Sequence, residues 1–493
     1  GNSWQKYMCN LRKKRIMEFL SDVLILIFLA TYVYTVVSSI VVVLLENKHP
    51  VRTSAWIMVL IFVPFIGLLL YVVVGRSYHR QGNISKKLKN KILSFGTRQS
   101  IKEICAENNI CSKHERLIHL LRNSTDASIF THNSVNIYTD GKQLFDDILS
   151  AMDNATAHIH AEYYAVETDE TGNRFKDMLI KKSKQGLEVR LIYDDVGSWR
   201  LKRSTIQEMK NAGVILQTFF ELRFPYFTNK LNYRNHRKIL IIDGKIGFLG
   251  GVNIADRYTK GLPWGIWRDT HIKIQGNAVD GLQQLFLNDW LYITKTAIHH
   301  KKYFAIHDQY NKLPIQIVGS GPDSMWEGIM QGFCAAIQNA SKYVYIQTPY
   351  FLPNDSISNA LESAALSGID VRIMIPSRSD TRISLEASLS FVKTMLAAGV
   401  RVYQYQAGFI HAKSIAIDNE LAIIGSANMD FRSFEQNFEV SAFMYDSDKS
   451  MELRNIFLHD MKQCKRLQYT QWKHRPITQK LIQSSARLFS PLL

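Results

Sequence analysis

"NHRKILIIDGKIGFLGGVNI" (Asn235–Ile254) and "IHAKSIAIDNELAIIGSANM" (Ile410–Met429) are one irregular frame written twice, 175 residues apart. The first copy sets His236, Lys238, Asp243, Gly250 and Asn253 in step with His411, Lys413, Asp418, Gly425 and Asn428 of the second. Offsets from the His are 2, 7, 14 and 17 in both, with mostly aliphatic and β-branched residues between. Two other H-x-K triplets, His271/Lys273 and His299/Lys301, lack the Asp at offset 7 and the Gly at offset 14. Chance supplies the triplet but not the frame.

Residues 236–242 and 411–417 read as buried strands, so the His and Lys of each pair, two apart, face the same way. Asp243-Gly244 and Asp418-Asn419 are strong two-residue hairpin turns, which by itself accounts for both aspartates. Gly250-Gly251 and Gly425-Ser426 follow, then Asn253 and Asn428 at the head of an expected helix. Glycine admits close backbone approach, and a helix N-terminus offers N–H groups to a phosphate. One His beside one Lys is weak evidence; two pairs in a duplication predict convergence on one site. Ammonium groups and amides there suit a phosphate, and two imidazoles suit a displacement in which one attacks and the other protonates the leaving group.

The duplication extends beyond the frames. "VNIYTD", "AHIHAEYYAV" and "LEVRLIYDD" alternate with helical stretches, as do "PIQIVGSG", "KYVYIQTPYF" and "IDVRIMIPS". This predicts two α/β domains, each with a largely parallel sheet, packed with pseudo-twofold symmetry.

Lys and Arg outnumber Asp and Glu by 60 to 43, a net charge of +17 that calls for an anionic partner. Five scattered cysteines fit neither a disulfide framework nor a zinc site. Val23–Leu45 carries no formal charge over 23 residues, and Thr53–Gly75 is a second such run, broken by Pro64 and Gly67. Each is long enough to cross a bilayer, too long for a signal peptide, and basic residues crowd the outer ends (Arg12, Lys13, Lys14 and Arg15; Arg76, Arg80, Lys86 and Lys87). The expectation is a two-helix transmembrane hairpin with both ends, and the large body, in the cytoplasm. "FFELRFPYFTNKLNYR" (Phe219–Arg234) mixes rings and cations as a membrane contact would. "QKLIQSSARLFSPLL" (Gln479–Leu493) reads as a further amphipathic contact or as a final core helix.

The two H-x-K-x4-D frames, each followed by Gly-Gly or Gly-Ser and then Asn, resemble the phospholipase D superfamily. With the N-terminal hairpin, "WRDTH", "QTPYFLP" and "SPLL", the chain is similar to bacterial cardiolipin synthases of that superfamily. The resemblance implies transphosphatidylation: a phosphatidylglycerol attacked by a histidine, then transfer of the phosphatidyl group to a second phosphatidylglycerol. It implies His236 as nucleophile, His411 as general acid and then base, and Lys238, Lys413, Asn253 and Asn428 around the phosphate. Ser426 is a further donor, matched by Gly251 in the first frame, while Asp243 and Asp418 complete the motif. Each imidazole of the family is oriented by an acidic residue from a later strand. Asp269, 33 residues after His236, and Glu439, 28 after His411, are the candidates.

The implied organisation is a membrane anchor at 1–80 with spans near 23–45 and 53–75, a connector at 81–125, and phospholipase D-like domains at 126–310 and 311–493. No metal or cofactor is expected. Partners are phosphatidylglycerol and anionic membrane lipids rather than nucleic acid, in the bacterial cell membrane, with self-association left open. A hydrolytic phospholipase D or a phosphatidylserine synthase would use the same frames. A nuclease would have no use for the hairpin, and a dead scaffold would not need intact His and Lys pairs.

Overall fold

The computed structural model describes residues 2–46, 50–71, 75, 92–93, 101–108, 110, 112–221, 232–298, 300–308 and 310–493. The helices of 2–71 belong to one compact unit, and the two α/β halves together form another.

In the N-terminal unit, helix Asn2–Glu46 contains the expected first span. Its most apolar window has a mean hydropathy of 2.3, and it alone among the described residues is long and apolar enough to cross a membrane. The second expected span, 53–75, is not one helix. It is divided into Pro50–Phe62 and Pro64–Leu70, with Val63 at φ −140° and ψ 63° between them. A residue preceding proline is pushed out of the α region, and Pro64 removes an amide donor, so the break follows from the sequence. Both pieces pack against the long helix: Tyr32 Oη donates to the Ile61 carbonyl at 2.9 Å, and Val43, Leu60 and Tyr71 form a small core.

The strands of the first half, with one that precedes it, are β1 (Ile129–Phe130), β2 (Asn133–Tyr138), β3 (His158–Tyr163), β4 (Glu188–Asp194), β5 (Ile215–Phe219), β6 (Lys238–Ile242), β7 (Ile246–Gly250), β8 (Ile266–Arg268) and β9 (His271–Gly276). The second half continues with β10 (Ile315–Ser320), β11 (Tyr343–Gln347), β12 (Phe351–Leu352), β13 (Asp370–Pro376), β14 (Arg401–Tyr405), β15 (Gly408–Ile410), β16 (Ser414–Ile417), β17 (Leu421–Gly425), β18 (Met429–Asp430), β19 (Glu439–Met444) and β20 (Cys464–Arg466).

The first half builds a seven-stranded sheet, β2-β9-β7-β6-β3-β4-β5, and the second a nine-stranded one, β1-β10-β19-β17-β16-β11-β13-β14-β20. The sheets are mixed rather than largely parallel. Helix crossovers give the parallel runs β3-β4-β5 and β11-β13-β14, whereas β6-β7 and β16-β17 are antiparallel hairpins. The frame itself is the cause, because its tight turn leaves no room for a crossover. Asp243, Gly244, Asp418 and Asn419 all have φ between 56° and 65°, as the expected turn requires.

Part of the expected connector is core of the second half. Leu117, Ile118 and Leu121 of helix Ser112–Thr125 are buried there, and β1 pairs with β10.

The halves are joined by backbone. β8 runs parallel to β15, and Asn235 bridges to Phe438 in the same sense. Gly265 and Gly408, at φ 153° and 152°, permit the first contact: a Cβ at 408 would lie 2.1 Å from the Ile266 carbonyl oxygen.

Candidate active site

These two inter-half contacts carry the histidines. His236 N–H donates to the Phe438 carbonyl at 2.9 Å, and His411 N–H to the Arg268 carbonyl at 2.7 Å. Each acceptor immediately precedes a candidate carboxylate, so each imidazole is delivered to the acid of the opposite half. His236 Nδ1 lies 2.9 and 3.1 Å from the Glu439 oxygens, and His411 Nδ1 lies 2.6 Å from Asp269 Oδ2. Counting along the chain had measured each acid from the His of its own frame; the fold exchanges them.

Both histidines open on one cavity of about 680 Å³, which Asn253 and Asn428 also line. Lys238 and Lys413 are buried beside the rings, each Nζ donating to the carbonyl of the His two residues earlier. Lys413 Nζ also lies 3.2 Å from His411 Nε2. Asn253 bonds Tyr258 Oη at 2.6 Å and the Ala165 amide at 3.1 Å, while Asn428 Nδ2 reaches Asp430 at 3.0 Å and the Asn428 Oδ1 has no partner among the described residues.

Electrostatics favour neutral bases and a weakened lysine. Burial pushes both imidazoles down to about 4: Glu439 opposes this at His236, and Lys413 adds to it at His411. Burial likewise brings Lys413 down to about 8 and Lys238 well below its ordinary value. Burial disfavours charge on Asp269 and Glu439, but Lys413 for the former and His236 for the latter hold them below the usual carboxylate range. An arriving phosphate would restore positive charge to the lysines.

Four expected site residues lie elsewhere. Asp243 and Asp418 stand at the far ends of β6 and β16, roughly 20 Å of extended chain from their histidines. Their carboxylates accept the amides of Ala157 and His158 (2.7 and 2.9 Å) and of Lys342 and Tyr343 (2.7 and 2.9 Å). They tie the frame hairpin to the start of its neighbouring strand, the structural role that turn chemistry suggested. The Ser426 hydroxyl is fully buried and donates to Glu439, so it braces the acid instead of facing the cavity. At Gly251 a Cβ would lie 2.0 Å from Asp269 Oδ1; the glycine makes room for the carboxylate.

Nor do Asn253 and Asn428 open helices. Helices Asp256–Lys260 and Phe431–Glu435 begin three residues later, and Asp430 caps the second through the Ser433 amide at 2.7 Å. Of the aromatic stretch before the first frame, 222–231 lie outside the described residues. Phe219 and Phe220 are buried against Tyr292 and Phe438, and Arg234 lines the cavity, bonded to Asp194 at 3.3 Å.

Sequence reasoning missed several lining residues: Tyr164, whose ring meets His236 edge-on at 4.9 Å, Trp267 at 5.1 Å from His411, Arg257, Arg432 and Asp430. Burial raises Asp430 to about 6. It missed Arg237 as well. Between His236 and Lys238, that side chain is paired with Asp289 and donates to the Glu439 carbonyl at 3.0 Å.

Two matching halves that meet at paired His-Lys frames define a phospholipase D-like phosphatidyltransferase. A family model described as "Cardiolipin synthase, PLD-like domain" matches residues 148–290 and 333–461, and one described as "Phospholipase_D-nuclease N-terminal" matches 33–76. The chain is 40% identical over 458 residues to the cardiolipin synthase of Alkalihalophilus pseudofirmus, covering 92% of this chain and 91% of that one. It is 41% identical over 456 residues to that of Geobacillus thermodenitrificans, with the same coverage of 92% and 91%. Among solved structures, phosphatidylserine synthase of Haemophilus influenzae shares the fold, with a TM-score of 0.60 at 13% identity over 78% of this chain and 100% of that one. The chain belongs to the cardiolipin synthase family.

Proposed function

We propose that the protein converts two phosphatidylglycerol molecules into cardiolipin and glycerol through a phosphatidyl-histidine intermediate. The observation that carries this reading is the exchanged pair, two imidazoles on one cavity, each held at Nδ1 by the other half's carboxylate. With Nδ1 engaged, Nε2 is the reacting nitrogen.

His236 Nε2 attacks phosphorus, the bond to the glycerol oxygen breaks, and His411 gives that oxygen its proton. His411 then takes the proton of the second lipid's hydroxyl, whose oxygen attacks phosphorus as the P–N bond breaks. The two surroundings support this division. Glu439 is shared among His236, Ser426 and Asn437, which dilutes its pull on a ring proton. Asp269, at 2.6 Å, pulls His411 toward the imidazolium against burial and Lys413, and a phosphate that takes up the lysine's charge leaves that pull to serve the acid step. Lys238, Lys413, Asn253 and Asn428 surround the phosphate and bear the charge that develops on its oxygens.

The long N-terminal helix anchors the enzyme in the cell membrane, and the interrupted segment packed on it returns to the side from which the chain entered. The basic flanks put the catalytic body on the cytoplasmic side.

Product analysis tests the reading: purified protein in phosphatidylglycerol micelles, with His236→Ala and His411→Ala alongside. Cardiolipin with equimolar glycerol, absent in both variants, is the expected result. Phosphatidic acid as main product would make water the acceptor and overturn the synthase assignment.

A further inference from the structure

The segment Tyr469–Leu493 carries Lys473, Arg475, Lys480 and Arg487 and no acidic side chain. Its helix Ile477–Arg487 lies on helix Arg382–Ala397: Gln483 Nε2 donates to Glu386 at 3.3 Å, and the Arg487 guanidinium sits 4.2 Å over the Phe391 ring. The buried positions are Gln483 and Ala486, whereas Ile477, Leu481 and Leu488 are 67%, 60% and 80% exposed. At about 100° per residue these three aliphatics fall within about 40° of one another, roughly opposite the two buried positions. The helix therefore docks through Gln483 and Ala486 and leaves three large aliphatic side chains facing outward, where water alone would not place them.

The apolar face continues to the site. Beyond the helix Phe489 is partly exposed, and Leu492 and Leu493 line the catalytic cavity, where Ile383 and Trp199 also present exposed apolar side chains. Cations flanking outward leucines, with no carboxylate among them, complement an anionic leaflet.

We propose that the outward face of helix Ile477–Arg487 is the surface by which the catalytic body rests on an anionic lipid bilayer. It sets Leu481 and Leu488 among the headgroups and upper acyl chains, so that the cavity opens toward the leaflet at Leu492. The proposal rests on the reading that the substrate is a membrane lipid.

The test uses the full chain reconstituted into vesicles of phosphatidylglycerol and a neutral lipid, with a fluorescent amino acid incorporated at Leu488 or at Leu366. Leu366 is similarly exposed but ends helix Asp355–Leu366 just before the start of β13, whereas Asp380 and Ile383, which line the cavity, follow that strand's other end. Lipids brominated in the upper acyl chain should quench the probe at 488 about twofold or more and leave 366 unchanged, since an interfacial helix sinks about 5–10 Å. No quenching at 488, or equal quenching at both, would overturn the proposal. So would energy transfer between differently labelled copies without lipid quenching, which would assign the face to a second copy of the chain. In parallel, Leu481→Asp with Leu488→Asp should lower turnover on bilayer phosphatidylglycerol about tenfold relative to turnover on a short-chain, water-soluble analogue. Quenching at 488 in vesicles that yield no cardiolipin would uphold the docking and reject the synthase reading, so the two fail separately.

Discussion

Asp269 Oδ2 lies 2.6 Å from His411 Nδ1, although the two are 142 residues apart and belong to different halves. Glu439 and His236, 203 apart, repeat the arrangement. Neither half holds a complete base: each supplies a histidine and lends its acid to the other. Backbone pairing one residue upstream of each acid makes the exchange a property of the fold rather than of flexible side chains.

Replacing either acid by its amide should therefore disable the opposite half's chemistry. In Asp269→Asn and Glu439→Gln, kcat should fall by on the order of 10²- to 10⁴-fold, as for other oriented imidazoles. KM should move little, because neither acid faces the cavity. Steady-state kinetics decide this, and a loss confined to KM would argue for a role in lipid binding.

The pH profile should have two limbs set by the site. His236 must be neutral to attack while His411, also lowered to about 4 in the empty site, must hold a proton in the phosphate complex, so kcat should fall as pH drops toward about 4, where the His236 ring protonates. Lys413 must be charged to stabilise the phosphate, so activity should also fall as pH rises through about 8, where it loses its proton. Lys413→Arg, charged throughout, should remove the alkaline limb whatever its effect on the maximum. An alkaline limb unchanged in that variant would assign it to another group.

Asp243→Ala and Asp418→Ala should act on stability. Each leaves backbone amides at a neighbouring strand start without acceptors, at a cost of about 1–3 kcal/mol. Thermal denaturation should report a lowered Tm, while kcat well below that Tm stays within about threefold of wild type. A large loss of kcat in the folded variant would restore both aspartates to the chemistry.

Gly251→Ala should reproduce the acid's loss without touching it. The new methyl would sit on Asp269 Oδ1 and displace the carboxylate from His411. Activity should fall with Asp269→Asn, and the double variant should be no worse than the worse single one. Additive losses would mean that Gly251 serves the phosphate directly.

The frames were legible because they combine a strand period, a turn signal and a spacing that repeats. From them followed the duplicated α/β architecture and the two histidines on one cavity, while Asp269 and Glu439 came from the resemblance. What stayed hidden depends on contacts between distant segments. The exchange of the acids is set by Arg268 and Phe438, which look like any residues preceding a carboxylate. Ser426 counts as a phosphate donor through the resemblance, and only packing reveals that it points to Glu439. Tyr164 carries a faint signal, standing just past β3, the strand that runs beside its frame. Arg432 and Asp430 carry none. At the N-terminus, hydropathy found the apolar runs, but only backbone geometry shows that Pro64 divides the second.

The most direct test of the central claim is to trap the covalent intermediate. Short-chain phosphatidylglycerol labelled in its phosphatidyl portion would be mixed with wild type, His236→Ala and His411→Ala, quenched within a turnover, and the adduct mapped by peptide mass spectrometry. The account predicts a phosphatidyl group on the His236 peptide in wild type and none in His236→Ala. Phosphatidyl on His411, or label that persists in His236→Ala, would contradict it.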